Sequence, residues 1–153
     1  MMTKISNVEI LLVEDSPSDA EMTVRALKKH NLVNNLVHVK DGQEALDFIY
    51  AKGIYADRIG AQNPRLIILD LKLPKIEGLE VLKILKKDKI TKNIPVVIMT
   101  SSREDKDLIE GYRLGVNSFV VKPVEFENFS KAVVELGLYW MLLNEIPRKD
   151  SDE

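Results

Sequence analysis

Five residues in this chain have side chains suited to joint work on a phosphoryl group: Glu14, Asp15, Asp70, Thr100 and Lys122. Each stands at or just past the end of a short apolar run. The run 8–13 (VEILLV) leads into Glu14-Asp15, 66–69 (LIIL) into Asp70, 96–99 (VVIM) into Thr100, and 118–121 (SFVV) into Lys122. Three carboxylates gathered in one place repel one another. A small hard cation relieves that repulsion, and Mg²⁺ favours oxygen ligands in octahedral geometry while keeping some of its waters. With such an ion present, Asp70 can remain an anionic nucleophile while charge on an incoming phosphoryl group is neutralised. Phosphoryl transfer depends mostly on positioning and electrostatic stabilisation, and an ammonium and a hydroxyl are the groups to hold phosphoryl oxygens. Singly, each residue is a weak signal. An aspartate after a strand is usually a helix cap, and a threonine there usually just ends the strand.

The elements that would position these residues alternate along the chain. The apolar runs are short, rich in β-branched residues and bounded by polar ones, as suits strands buried on both faces of a parallel sheet. Weaker strands are expected within 32–39, where alternation at 36–39 suggests a sheet edge, and at 118–121. Between the strands lie helical patterns. Ser16-Pro17-Ser18-Asp19 offers a capping hydroxyl, a proline at the first helical position and an acid in the first turn; Ala20, Val24 and Leu27 then share a face, with Lys28 and Lys29 closing the helix. A second helix is expected over 42–51, with Ala45, Leu46 and Ile49 apolar, and a third over 79–87, with Leu79, Leu82 and Leu85 toward the sheet. Ser102 to Asp105 resembles a capping box opening a helix that ends at a left-handed Gly115. The last helix, 125–145, is the longest. Residues 53–65 read as a loop or short extra turn, and 147–153 as a polar tail. Five β–α units in series predict an α/β fold, a doubly wound parallel sheet with helices on both faces. In such a sheet ligands bind at the carboxyl ends of the strands, which is where the five residues fall.

Composition narrows the field. The chain has 153 residues, 45% hydrophobic and 30% charged, which fits one compact domain with a core of its own. Its formal net charge is -2, against nucleic-acid binding by bulk electrostatics. It has no cysteine, hence neither disulfides nor thiolate metal sites, in keeping with a reducing cytoplasm. No apolar stretch reaches the roughly 20 residues needed to span a bilayer. His30 and His38 are isolated from any ligand-spaced cluster, and no glycine-rich phosphate loop follows the first strand.

Taken in order, Ile10-Leu11-Leu12-Val13-Glu14-Asp15, Leu69-Asp70-Leu71-Lys72-Leu73-Pro74 with Gly78, Ile98-Met99-Thr100-Ser101 and Val121-Lys122-Pro123 resemble the successive signatures of response-regulator receiver domains. The resemblance covers roughly residues 8–135. The 53–64 loop and extended last helix are more similar to the small receivers associated with phytochromes. It implies a flavodoxin-like, CheY-like three-layer sandwich with five helices and strand order 2-1-3-4-5, residues 1–146 forming the receiver. It also implies Asp70 as phosphoacceptor, with Mg²⁺ held by Glu14, Asp15, Asp70 and the main-chain carbonyl of Lys72, and a cis peptide before Pro123 that turns Lys122 back toward Asp70. The donor would be a phosphohistidine on a histidine kinase, with phytochrome-like kinases among the candidates, and the protein a binding switch, not a conventional enzyme.

Thr100 and Phe119 are the expected switch pair: Thr100 drawn toward a phosphoryl group leaves room for Phe119 to turn inward. The alternative is a Phe119 that only packs in the core. By the same resemblance Lys72 and Ser102 border the path of water to an acyl phosphate, although a solvated lysine accounts equally for the first and helix capping is the better reason for the second. On the last helix, Phe126, Phe129, Val133, Leu136 and Trp140 form one face, while Val134, Leu138, Met141 and Leu142 widen it. The wider surface suits either homodimerisation through the fourth helix, fifth strand and fifth helix, or extra core in a monomer. Rival classes are a haloacid-dehalogenase-type phosphatase, which wants an aspartate where Lys72 stands, a flavodoxin-like flavin carrier, whose cofactor phosphate the acids would repel, and a receiver-like module that works without phosphorylation.

Overall fold

The computed structural model describes residues 10–29, 35–100, 110, 111, 113–116 and 118–121. The strands are β1 (Ile10–Val13), β2 (Leu36–Val39), β3 (Leu66–Asp70), β4 (Val96–Thr100) and β5 (Ser118–Val121); the helices are α1 (Pro17–Lys29), α2 (Gly42–Tyr50) and α3 (Gly78–Lys87), with a 3-10 segment at Gly53–Arg58. All strand pairs are parallel, in the order β2-β1-β3-β4-β5, so the expected sheet order is the observed one. The fourth helix is described in part, and the capping segment 102–105 and the last helix lie outside the described residues.

Every residue of β1 and β3 is buried, which explains their continuous apolar runs, whereas β2, at the edge, is buried fully only at Val39. Because side chains alternate across a strand, the sheet feeds two cores. Leu11, Val13, Ile67, Leu69, Val96 and Ile98 join α2 and α3 on one face. Ile10, Leu12, Ile68, Val97 and Met99 join Ala20 and Leu27 of α1 on the other.

The helix signals acted as read in α1, where Ser16 Oγ accepts the Asp19 N–H at 3.3 Å. In α3 the expected face holds at Leu82 and Leu85 and widens to take in Val81, with Leu79 packed against the same core from its margin. Its buried stripe is Gly78, Val81, Leu82 and Leu85, while Leu79 is half-buried. Positions i, i+3, i+4 and i+7 share a face, and Leu79 stands to one side of it, lining an open groove with Lys75, Lys83 and Glu110. In α2 Leu46 is half-buried and Phe48 is the large side chain in the core.

α2 stops without a glycine. Ala51 sits at φ 57°, and the Lys52 and Ala51 N–H groups donate to the carbonyls of Asp47 (2.8 Å) and Phe48 (3.4 Å), the pairing of a Schellman turn. Gly115 does take the left-handed conformation expected of it, at φ 101°. The 53–65 stretch carries the 3-10 segment and is anchored by Arg58. That guanidinium lies 3.7 Å from the centroid of the Phe48 ring and donates to the carbonyls of Phe48 and Gln62. Tyr55 meets the same ring edge-on at 5.1 Å and donates its hydroxyl to Glu44 Oε2 at 2.7 Å. Among the described residues no helix is long and apolar enough to cross a membrane.

Candidate phosphoacceptor and metal site

β1 and β3 lie side by side at the point where strand order reverses, since the chain leaves β1 toward β2 and leaves β3 toward β4. Their register pairs Val13 with Leu69, so Glu14 and Asp70 emerge together at the carboxyl rim. Asp15 completes the group: ligand oxygens of Glu14, Asp15 and Asp70 all lie within 4.8 Å of one another. Glu14 is 1% exposed and Asp70 7%, whereas Asp15 faces solvent.

Glu14 is held from several sides. Its Oε2 accepts the Ser16 N–H at 3.1 Å, and its own N–H donates to the Val39 carbonyl at 3.0 Å. His38 Nε2 lies 2.7 Å from the Glu14 carbonyl. A carbonyl only accepts, so this ring nitrogen is the donor. Nothing in the sequence marked His38 for this contact; it arises because β2 pairs with β1 in register, setting His38 beside Leu12.

The acidic trio fits a small divalent cation. Oxygens on opposite sides of one Mg²⁺ stand about 4.2 Å apart, close to the observed spread, and two buried like charges beside a third call for a counter-charge. Lys72 is exposed, two residues beyond the end of β3. Thr100 ends β4, whose Met99 pairs with Asp70, and Phe119 lies in β5 opposite Ile98. For Thr100 and Phe119 the description is of the strand backbone. Val121 pairs with Thr100, so the chain leaves β5 at the same rim; Lys122 and Pro123 lie outside the described residues, as does Ser102.

The approach of α3 to this rim depends on Gly78. A Cβ there would run into the carbonyl oxygen of Asp70 and stand 2.7 Å from Leu71 Cα. The Gly78 N–H donates to the Leu71 carbonyl at 2.8 Å, so α3 begins against the backbone that carries Asp70.

The model of the response regulator receiver domain matches residues 10–134. The chain belongs to the response regulator receiver domain family. It is therefore a response regulator of two-component signalling, and the phosphatase and flavin-carrier readings are set aside. Response regulator Rcp1 of Synechocystis sp. is 36% identical over 138 residues, 90% of this chain and 92% of Rcp1. Its Mn²⁺-bound structure is similar at TM-score 0.78 and 36% identity, covering 87% of this chain and 94% of that one. The phosphorylated cyanobacterial phytochrome response regulator RcpA gives TM-score 0.79 at 35% identity over 88% of this chain and 94% of its own. The bacteriophytochrome response regulator AtBRR is 52% identical with TM-score 0.71, over 86% and 93% of the two chains. Receiver domains take phosphate from histidine kinases and bind Mg²⁺ or Mn²⁺ at an acidic pocket, and this receiver's acidic group is Glu14, Asp15 and Asp70.

Proposed function

We propose that Asp70 is the phosphoacceptor of this receiver and that its modification switches protein–protein contacts. The observation that carries the reading is a buried carboxylate at the sheet's switch point with two further carboxylates within 4.8 Å. In the proposed reaction an Asp70 oxygen attacks the phosphorus of a phosphohistidine. The P–N bond breaks with its electron pair going to the imidazole, and an acyl phosphate remains on Asp70. Glu14, Asp15, Asp70 and the Lys72 main-chain carbonyl would hold Mg²⁺, which when bound neutralises charge on the transferring group. The Lys122 ammonium and the Thr100 hydroxyl hold the phosphoryl oxygens, and Phe119 turns inward as Thr100 moves.

The likeness to Rcp1, RcpA and AtBRR supports a phytochrome-type histidine kinase as donor, encountered in the cytoplasm. Residues 1–146 make up the receiver with its extended last helix, 147–153 the tail, and homodimerisation through the fourth helix, fifth strand and fifth helix is the proposed output. Acetyl phosphate with Mg²⁺ is expected to add one phosphoryl group, seen by intact-mass analysis, and Asp70→Asn to add none. No modification of the unaltered chain, or modification persisting in Asp70→Asn, would overturn the assignment. Thr100→Ala is expected to accept phosphate yet lose phosphorylation-dependent assembly, read by sedimentation with and without beryllofluoride.

A further inference from the structure

We infer that the N-terminus of α2, through Gly42 and Asp41, is a positioning element for the metal site, because it holds the loop after Asp70 in its shape. The inference rests on the reading of that loop, by way of Lys72, as part of the cation site. None of the residues that do the holding is a ligand.

The loop 71–77 leaves β3 and is fixed at both ends. At its far end Gly78 lies against the Asp70 and Leu71 backbone. Leu71 and Leu73 are buried in the core, at 5% and 7% exposure, while Lys72 between them faces out. Beyond Leu73 the chain makes a tight turn: the Ile76 N–H donates to the Pro74 carbonyl at 2.8 Å around Lys75, whose φ is 69°. A three-residue turn about a non-glycine residue at positive φ is rare and strained, and such strain persists only where its surroundings enforce it.

The enforcing element is α2. The Gly42 N–H donates to the same Pro74 carbonyl, weakly, at 3.4 Å. Gly42 also meets Ile76 so closely that a Cβ would strike its carbonyl oxygen and stand 2.9 Å from both its carbonyl carbon and its Cβ. Asp41, the residue before, spans the contact. Its Oδ1 accepts the Glu44 N–H at 2.7 Å, capping α2, and its Oδ2 lies 3.6 Å from Lys75 Nζ. Glu44 steadies this corner in turn, accepting the Lys40 N–H at 3.0 Å and the Tyr55 hydroxyl at 2.7 Å. Lys75 is two-thirds exposed, so its ion pair is weak by itself; the backbone contact at Gly42 and the capped helix start do the holding. Partners that orient ligands without touching the metal have a large effect on affinity.

The test compares Mn²⁺ affinity with stability to denaturant in the full chain. Asp41→Ala, which loses both the cap and the Lys75 contact, and Gly42→Ala are each expected to weaken Mn²⁺ binding about tenfold or more. Ala45→Gly loosens the same helix one turn further on while leaving the Asp41 cap and Gly42 in place. It is expected to lower the denaturation midpoint at least as far while leaving Mn²⁺ affinity unchanged. Asp41→Asn keeps a capping oxygen and is expected to restore most of the binding. If Gly42→Ala does not fold, the Asp41 pair decides. Unchanged affinity in Asp41→Ala, or an equal loss in Ala45→Gly, overturns the inference while leaving the metal site standing. No Mn²⁺ binding by the unaltered chain overturns the metal site and this inference together.

Discussion

Glu14 and Asp15 are neighbours in sequence with opposite surroundings, one 1% exposed and one facing solvent. Charge alone would not have separated them. What separates them is their position past β1: Glu14 follows the register of buried Val13 and is gripped by Ser16, Val39 and His38, whereas Asp15 begins the turn into α1. Gly78 is as specific in its demand. Because a Cβ would collide with the Asp70 carbonyl and crowd Leu71 Cα, Gly78→Ala must displace α3 or the strand end that carries Asp70. The expected cost is about 2–4 kcal/mol, measured by denaturant unfolding, together with slower modification by acetyl phosphate than in the unaltered chain.

Elements carry the next level of argument, because their ends decide how the rim is built. α1 is started by Ser16, whose N–H also binds Glu14, so one residue caps a helix and orients a carboxylate. α2 starts against the loop that follows Asp70 and ends on Ala51 at φ 57°. An alanine in that conformation is strained, where glycine would not be. Ala51→Gly is therefore expected to stabilise the fold by about 0.5–1 kcal/mol, read as a higher denaturation midpoint, with Mn²⁺ affinity unchanged because this end of α2 is away from the rim. A decrease in stability would mean that the Schellman turn is not formed.

At the scale of the molecule, two linkages follow. A cation that binds only the folded chain stabilises it by mass action, about 2.7 kcal/mol when free Mg²⁺ stands at about 100 times its Kd. Thermal unfolding is expected to move upward with Mg²⁺, to return with chelator, and to respond much less in Glu14→Gln. The second linkage is alkaline. Burial raises the pKa of Tyr50 and of Tyr55, with further increases from Asp88 at the former and Glu44 at the latter, and an opposing hydrogen bond from Thr91 at Tyr50. The folded chain thus holds these protons more tightly than the unfolded one, whose tyrosines titrate near pH ~10. The stability they provide is complete below that pH and is lost as pH rises through the raised values. Burial lowers the pKa of Lys86, which acts in the opposite sense just below about pH 10.5. The clean readout is therefore a difference: stability of Tyr55→Phe should fall less between pH 9.5 and 11.5, as roughly chosen bounds around that value, than stability of the unaltered chain.

By itself the sequence determined the strands, the bounds of the three fully described helices to within a residue or so, and the three carboxylates that meet at the rim. These are local properties: an apolar run such as 66–69, a cap such as Ser16-Pro17, and an acid placed just beyond a strand are written within a few consecutive residues. The strand order, and the phosphoacceptor and metal-ligand roles proposed for single residues, came from the resemblance of four ordered motifs. Tertiary structure decided what no short window contains. It made Val81 rather than Leu79 part of the buried stripe, set His38 on the Glu14 carbonyl, and brought Gly42 against Ile76. An Asp-Gly pair before an amphipathic stretch reads as a helix start and nothing more. The demand for glycine at position 42 comes from a carbonyl on a loop 34 residues further along (76 less 42), brought there by packing two helices on one face of the sheet.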